Sequence, residues 1–275
     1  MFTAYATTAG QAGPSLAAPM TFPAGERHIV TDPAFDAGQT PTHFLVTGTD
    51  ANDYVTAAMW TDYAHQAGAK ITALIPYLPG ARQDRGNPFG AAVYANLING
   101  IGADEVVCLD PHSPVMPDLI ANLRVVEPHT VIATALAPTL HQYVGIICPD
   151  AGARTRSEKT AAHLGLPVFH ATKRRDFATG KLSGFECEAL PEAGKLLVVD
   201  DICDGGGTFR GLAAATGLGP DRLDLWVSHG VFSGAAPALR EHYGAIHTTD
   251  SHPGATNPGV AATIHPAMPH LLERN

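Results

Sequence analysis

Long hydrophobic runs are missing from this chain: none approaches the ~20 residues a membrane-spanning helix needs, so no membrane partner is expected. Positive charge is also in short supply. With 17 Lys and Arg against 26 Asp and Glu, the formal net charge is −9. That balance argues against a nucleic-acid surface and requires any anion site to be built locally. The four cysteines, Cys108, Cys148, Cys187 and Cys203, have no metal-ligand spacing; they read as buried free thiols of a reducing compartment. MFTAYATTAGQAGPSLAAPM, residues 1–20, has no basic start followed by an apolar core, which argues against a secretory signal and for the cytoplasm. The same segment is rich in Ala, Gly, Pro and Thr without a period, and is expected to be loop. What remains is 275 residues, enough for one large or two modest globular domains.

Apolar runs bounded by turn signals recur through the chain: HFLVTG (43–48), KITALIP (70–76), EVVCLD (105–110), VGIICPD (144–150), LPVFHA (166–171), KLLVVDD (195–201) and LDLWVSHG (223–230). Helical patterns at 52–68, 88–102, 157–165 and 207–217 lie between several of them. Near-continuous apolar strands alternating with helices indicate parallel sheets covered on both faces. The order repeats roughly once, giving an α/β chain of two doubly wound parallel-sheet domains, 1–138 and 139–261, with a tail 262–275 that can return to the first. Ligands of such sheets bind beyond the carboxyl ends of the strands. Polar residues collect at three of those ends: Asp110-Pro111-His112, Pro149-Asp150 and Asp200-Asp201.

The stretch KLLVVDDICDGGGTF (195–209) joins a strand to two adjacent acids and a glycine cluster. Adjacent carboxylates repel and glycines lose backbone entropy on folding, a local conflict typical of functional sites. Glycines between a strand and a helix let backbone N–H groups surround an anion, and the helix N-terminus adds partial positive charge. Asp204, Gly205, Gly206, Gly207 and Thr208 therefore suit a phosphate. Asp200 and Asp201 suit the vicinal hydroxyls of a sugar, directly or through magnesium. A capped strand-to-helix turn would explain Asp204 and one glycine, but not the acid pair.

This stretch resembles the phosphoribosyl-pyrophosphate motif shared by type I phosphoribosyltransferases and ribose-phosphate pyrophosphokinases. Other segments favour the second family. IPYLPGARQDR (75–85) resembles its ATP-contacting sequence, which implies that Arg82, Gln83 and Asp84 meet the nucleotide. TFPAGERHI (21–29) resembles a second ATP contact made across a subunit interface, carried here by Phe22 and Glu26, with Ala24 in place of the usual acid or amide. CLDPHS (108–113) resembles a segment near metal and ATP phosphates, implying Asp110 and His112. CPDAGARTR (148–156) resembles one carrying a magnesium-associated carboxylate, implying Asp150. ATKRRDFATG (171–180) resembles the family's flexible catalytic loop, implying Lys173 and Arg175 as catalytic. An exposed basic turn would explain the last segment taken alone, but not its company.

The resemblance implies transfer of diphosphate from magnesium ATP to the anomeric hydroxyl of ribose 5-phosphate, giving phosphoribosyl pyrophosphate and AMP. It also implies small-molecule substrates and a homo-oligomer, at least a dimer. Three departures stand out. GQAGPSLAAP sits where the family has an amphipathic helix, ARQDR runs directly into GNPFG, and Gly205 replaces a common threonine. The added room admits a larger acceptor, so the same chemistry on ADP-ribose, in salvage of NAD fragments, is an alternative. A type I phosphoribosyltransferase and a non-catalytic regulatory homologue are further ones.

Overall fold

The structure is a computed structural model that describes residues 1–8, 11–31, 42–175 and 182–273. The chain divides into two compact units, Met1–Val126 with Ala267–Asn275, and Glu127–Pro266.

In the first unit, β1 (Phe2–Thr8), β2 (Gln11–Ser15), β3 (Ala17–Thr21) and β4 (Arg27–Thr31) precede β5 (Thr42–Val46). Then come α1 (Ala51–Gln66), β6 (Ile71–Leu74), α2 (Gly90–Gly100), β7 (Glu105–Leu109), α3 (Val115–Leu119) and β8 (Leu123–Val126). The sheet order is β2-β1-β5-β6-β7-β8. β5 to β8 run parallel, while β1 pairs antiparallel with β5 and β2. Within residues 1–20, expected as loop, most of the described residues instead lie in β1, β2 and the start of β3. β1 joins the sheet between β2 and β5, with Phe2 opposite Val46 and Ala4 opposite Phe44, and Phe2 and Ala4 are buried. Small residues with little periodic signal are held there by the neighbouring strand, a tertiary effect that outweighs propensity.

All four residues of β6 are buried. The Asp50 carboxylate caps α1, accepting from Asn52 N–H at 2.9 Å, and Tyr54, Ala57, Trp60 and Ala64 form its buried face at helical spacing.

The second unit holds α4 (Pro128–Leu136), β9 (Tyr143–Cys148), α5 (Arg154–Leu164), β10 (Val168–Arg175), β11 (Leu182–Cys187), β12 (Lys195–Cys203), α6 (Gly207–Thr216), β13 (Leu223–Gly230), β14 (Ile246–Thr249) and β15 (Thr263–His265). Its sheet order is β11-β10-β9-β12-β13-β14-β15, parallel except for the edge strand β11. The units meet at Val126–Glu127 rather than at 138, because α4 packs on α5: Lys159 Nζ pairs with Glu127 at 3.1 Å, and the His129 and His163 rings lie 4.7 Å apart. β15 pairs with β14, so the chain leaves the second unit only at Ala267. A last helix, α7 (Met268–Leu272), belongs to the first unit, where Arg124 donates to the Leu271 carbonyl at 2.7 Å.

From β9 the chain moves outward to β10 on one side, and β12 then takes the other side. The order therefore reverses between β9 and β12, which makes their carboxyl ends the expected ligand crevice. β13 is buried along its whole length, as a strand covered on both faces must be.

The opposite end of this sheet is tied by one buried acid. Asp224, with a side chain 3% exposed, accepts from Tyr143 Oη at 2.8 Å, Lys195 Nζ at 3.0 Å and Ala245 N–H at 2.9 Å. Burial and this carboxylate hold the Tyr143 hydroxyl protonated. Asp224→Ala strands these donors and is expected to cost about 3 kcal/mol, read as a lower urea midpoint with an unchanged slope.

Candidate substrate-binding site

β12 outruns its neighbour. Its pairing with β9 ends at Val198 opposite Ile147, whereas its pairing with β13 continues to Cys203 opposite Gly230. Asp200 and Asp201 therefore overhang the end of β9, where the turn Ala151–Ala153 and the start of α5 fill the space. Successive strand side chains leave on opposite faces, yet at this free edge one group reaches both. Arg156 Nη1 lies 3.5 Å from Asp200 Oδ1 and 3.6 Å from Asp201 Oδ1. Asp200 Oδ1 also accepts from Asp201 N–H at 2.9 Å. Burial and the neighbouring Asp201 carboxylate push Asp200 well above the usual carboxylate range, with Arg156 opposing them.

Beyond the acids the chain turns at Gly206, in the left-handed region with φ +72°, and enters α6 at Gly207. A Cβ on Gly205 or Gly207 would meet nothing within 4 Å, so the turn faces open space on that side. Asp204 is fixed from behind by Ser233, whose hydroxyl donates to Oδ1 and whose N–H donates to the Asp204 carbonyl at 3.2 Å. Arg210 clamps the loop by donating to the Gly205 carbonyl at 2.7 Å and the Ala235 carbonyl at 2.9 Å. Thr208 stands in the first turn of α6 beside the unpaired N–H groups of the helix start. At Gly206 a Cβ would come within 3.0 Å of Leu239 Cγ in a strained backbone region. Gly206→Ala is therefore expected to cost about 1–2 kcal/mol, whereas Gly205→Thr leaves thermal stability nearly unchanged; melting curves of the two variants check both.

Cysteine chemistry has no place here. Burial and the Asp200 and Asp204 carboxylates push the Cys203 thiol up to about 12, and burial raises Cys148. Asp150 closes β9 and spends one oxygen on the backbone, accepting from Gly152 N–H at 2.8 Å and Ala153 N–H at 3.2 Å.

The other expected residues lie in the first unit. Phe22 and Glu26 sit at the exposed β3–β4 turn, with Phe22 N–H donating to the Glu26 carbonyl at 2.9 Å and its ring stacked on His28 at 5.5 Å. Arg82 and Gln83 are exposed in the turns after β6, and Asp84 pairs with Arg85 at 3.6 Å. Asp110, at the end of β7, is 3% exposed with φ +42°, a left-handed conformation aspartate tolerates better than most residues. His112, two residues on, is exposed. The acids and histidine expected at magnesium are thus split between units, and no group of three or more metal-ligating side chains occurs among the described residues.

The first residues of the expected catalytic loop are strand. Residues 171–175 extend β10 along β11, with Lys173 opposite Phe185 and Arg175 opposite Leu182; the continuation, 176–181, lies outside the described residues. Sequence reasoning missed Arg156, Ser233 and Arg210. Only Arg156 carried a usable signal, as a cation just before the helical pattern at 157 and close after a strand-end acid.

No family model matches the chain. It is 31% identical over 207 residues to the ribose-phosphate pyrophosphokinase of Granulibacter bethesdensis, covering 68% of this chain and 63% of that protein. It is 30% identical over 180 residues to the ribose-phosphate pyrophosphokinase of Saccharolobus solfataricus, covering 62% of each. The chain thus matches less than two thirds of the length of these relatives. The phosphoribosylpyrophosphate synthetase structure from Mycobacterium smegmatis shares the fold, with a TM-score of 0.78 over 95% of this chain and 89% of that one at 21% identity.

Proposed function

The chain is a divergent relative of the ribose-phosphate pyrophosphokinases, and from that premise we propose that it transfers diphosphate from magnesium ATP to ribose 5-phosphate. The anomeric oxygen attacks the β-phosphorus, the bond from that phosphorus to the α,β-bridging oxygen breaks, and AMP leaves with the oxygen. One observation supports the acceptor most: an acid pair at the strand-order switch stands directly before an open glycine turn at a helix start. A molecule carrying both a diol and a phosphate satisfies both ends. Asp204 to Thr208 take the 5′-phosphate through backbone N–H groups and one hydroxyl, and Asp200 and Asp201 accept from the sugar hydroxyls.

Such transfers depend on positioning and charge stabilisation. Arg82, Gln83 and Asp84, with Phe22 and Glu26, hold ATP in this reading. Lys173 and Arg175 neutralise charge on the transferring group. Magnesium fits the donor set, since it keeps several waters and takes one or two carboxylates plus substrate phosphates rather than an all-protein cage. Asp150 in the second unit, and Asp110 with His112 in the first, are the residues that would hold magnesium in this reading, and it would neutralise phosphate charge. An interface-shared ATP site makes the active form at least a dimer.

The test is AMP release from magnesium ATP with ribose 5-phosphate or ADP-ribose offered separately, products being identified by mass. AMP together with diphosphorylated ribose 5-phosphate is the expected result. AMP with ADP-ribose alone, or with neither, overturns the assignment.

A further inference from the structure

We infer that Arg210 is a positioning residue for the acceptor: by holding two consecutive carbonyls of the triple-glycine turn, it sets the N–H groups of Gly207 and Thr208 for the 5′-phosphate before substrate arrives. The inference rests on the acceptor reading above, but the clamp itself is a property of the substrate-free turn.

Two successive peptide units of the turn end on this one residue. Arg210 Nη1 donates to the Gly205 carbonyl at 2.7 Å, and the Arg210 N–H donates to the Gly206 carbonyl at 3.0 Å. In a trans peptide the N–H points away from the carbonyl of the same unit, and among the described residues the cis bond is at Asn87-Pro88. Both N–H groups of these units therefore face away from Arg210. That of Gly206 donates to the Cys203 sulfur, so the Gly205–Gly206 unit is held at both ends. That of Gly207 opens α6 beside the N–H of Thr208, and the first N–H groups of a helix have no partner within it. Gly206, at φ +72°, bends the chain so that these successive N–H groups line a concave anion seat.

The turn needs such a clamp. Of its three glycines only Gly206 has a left-handed backbone, and a Cβ on Gly205 or Gly207 would meet nothing within 4 Å. Neither space nor backbone angle demands glycine at those two positions, and each adds conformational freedom that binding would have to remove. Arg210 ties that freedom to a rigid support. The same Nη1 donates to the Ala235 carbonyl at 2.9 Å, and the segment leading to Ala235 is fastened to the end of β12. There the Val231 and Phe232 N–H groups each donate to the Cys203 carbonyl at 3.0 Å, while Asn257 Nδ2 donates to the Phe232 carbonyl at 2.8 Å. Phe232 keeps φ +46° between these bonds, a conformation that persists only where the surroundings over-determine it. Arg210 thus acts through the backbone of the turn and lowers the ordering cost of seating the phosphate.

The decisive experiment measures ¹⁵N relaxation at Gly205 to Thr208, without substrate, in the wild-type chain and in R210M and R210K. Order parameters near about 0.85 are expected in wild type and below about 0.6 in R210M, with R210K, which keeps a donor, recovering most of the difference. In parallel, R210M is expected to raise the KM for ribose 5-phosphate about tenfold, with kcat and the KM for ATP changing less than about twofold. Because the effect is one of ordering, the KM ratio should persist in about 0.5 M salt, where a plain attraction between Arg210 and phosphate would be screened. Gly205→Ala, which removes backbone freedom, is expected to recover about two- to fivefold of the R210M deficit, a larger ratio than in the wild-type background. Order parameters that do not fall, a KM deficit that vanishes in salt, or equal effects of Gly205→Ala in both backgrounds overturn the role. If R210M does not fold, R210Q, also uncharged, is read by the same criteria. A wild-type chain that ignores ribose 5-phosphate while the order parameters fall as expected in R210M overturns the acceptor and leaves the clamp standing.

Discussion

Lys173→Ala is expected to lower kcat about a thousandfold or more while the Kd for ribose 5-phosphate stays within about twofold. The reason lies in where charge changes during the reaction. Ribose 5-phosphate brings its charge at the 5′ end, which in the proposed arrangement meets the backbone N–H groups of Gly205 to Thr208. The transferring diphosphoryl group develops its charge at the anomeric end, and a cation there stabilises the transition state more than the bound substrate. Deleting it should raise the barrier without loosening the acceptor. Lys173 also lies within β10. Its backbone is still paired with Phe185 in the β10–β11 ladder. A substitution there should leave the strand in place, which isothermal titration with ribose 5-phosphate and single-turnover kinetics would together establish. Equal losses in binding and turnover would remove Lys173 from the chemistry and make it an acceptor contact.

The central strands of both units were legible because they are apolar on both faces and end in turn residues. β12 and β13 read directly from KLLVV and LDLWV, and α1 from its buried helical stripe. Edge strands were not. β2, β8, β11 and β15 at the edges, and β1 and β14 next to them, are short or of mixed polarity, and a neighbouring strand supplies much of what holds them. The same limit explains the unit boundary: the 3.6-residue period identifies a helix such as α5, read at 157–165, but not that α4 packs on it. At the site, residues whose chemistry is local could be read from one segment, as with the acid pair and the glycines of 200–208. Arg156 showed there only as a cation close after a strand-end acid, because its meaning comes from the two acids of β12 that the fold brings beside α5.

Asp200→Asn is expected to make the protein more stable at neutral pH and a worse catalyst, with kcat/KM for ribose 5-phosphate falling about a hundredfold. Asp200 has a folded-state pKa raised above its unfolded value by burial and by Asp201. Its ionisation therefore opposes folding: stability is highest below the unfolded value of about 3.9 and is lost as pH rises through the raised folded value. Asparagine cannot ionise, so the variant avoids that loss. Its Tm should exceed wild type at pH 7, and the difference should vanish as pH falls below about 4. Arg156 keeps Asp201 as its partner at 3.6 Å, so the substitution does not strand a buried cation. The catalytic loss follows from the same atom, since a neutral amide offers a hydroxyl donor a weaker acceptor than a carboxylate. Calorimetric melting at pH 4 and pH 7, set beside steady-state kinetics at pH 7, reads both halves. A Tm gain that persists at pH 4 would assign the stabilisation to packing rather than charge. Unchanged kcat/KM would show that the acid pair does not meet the sugar.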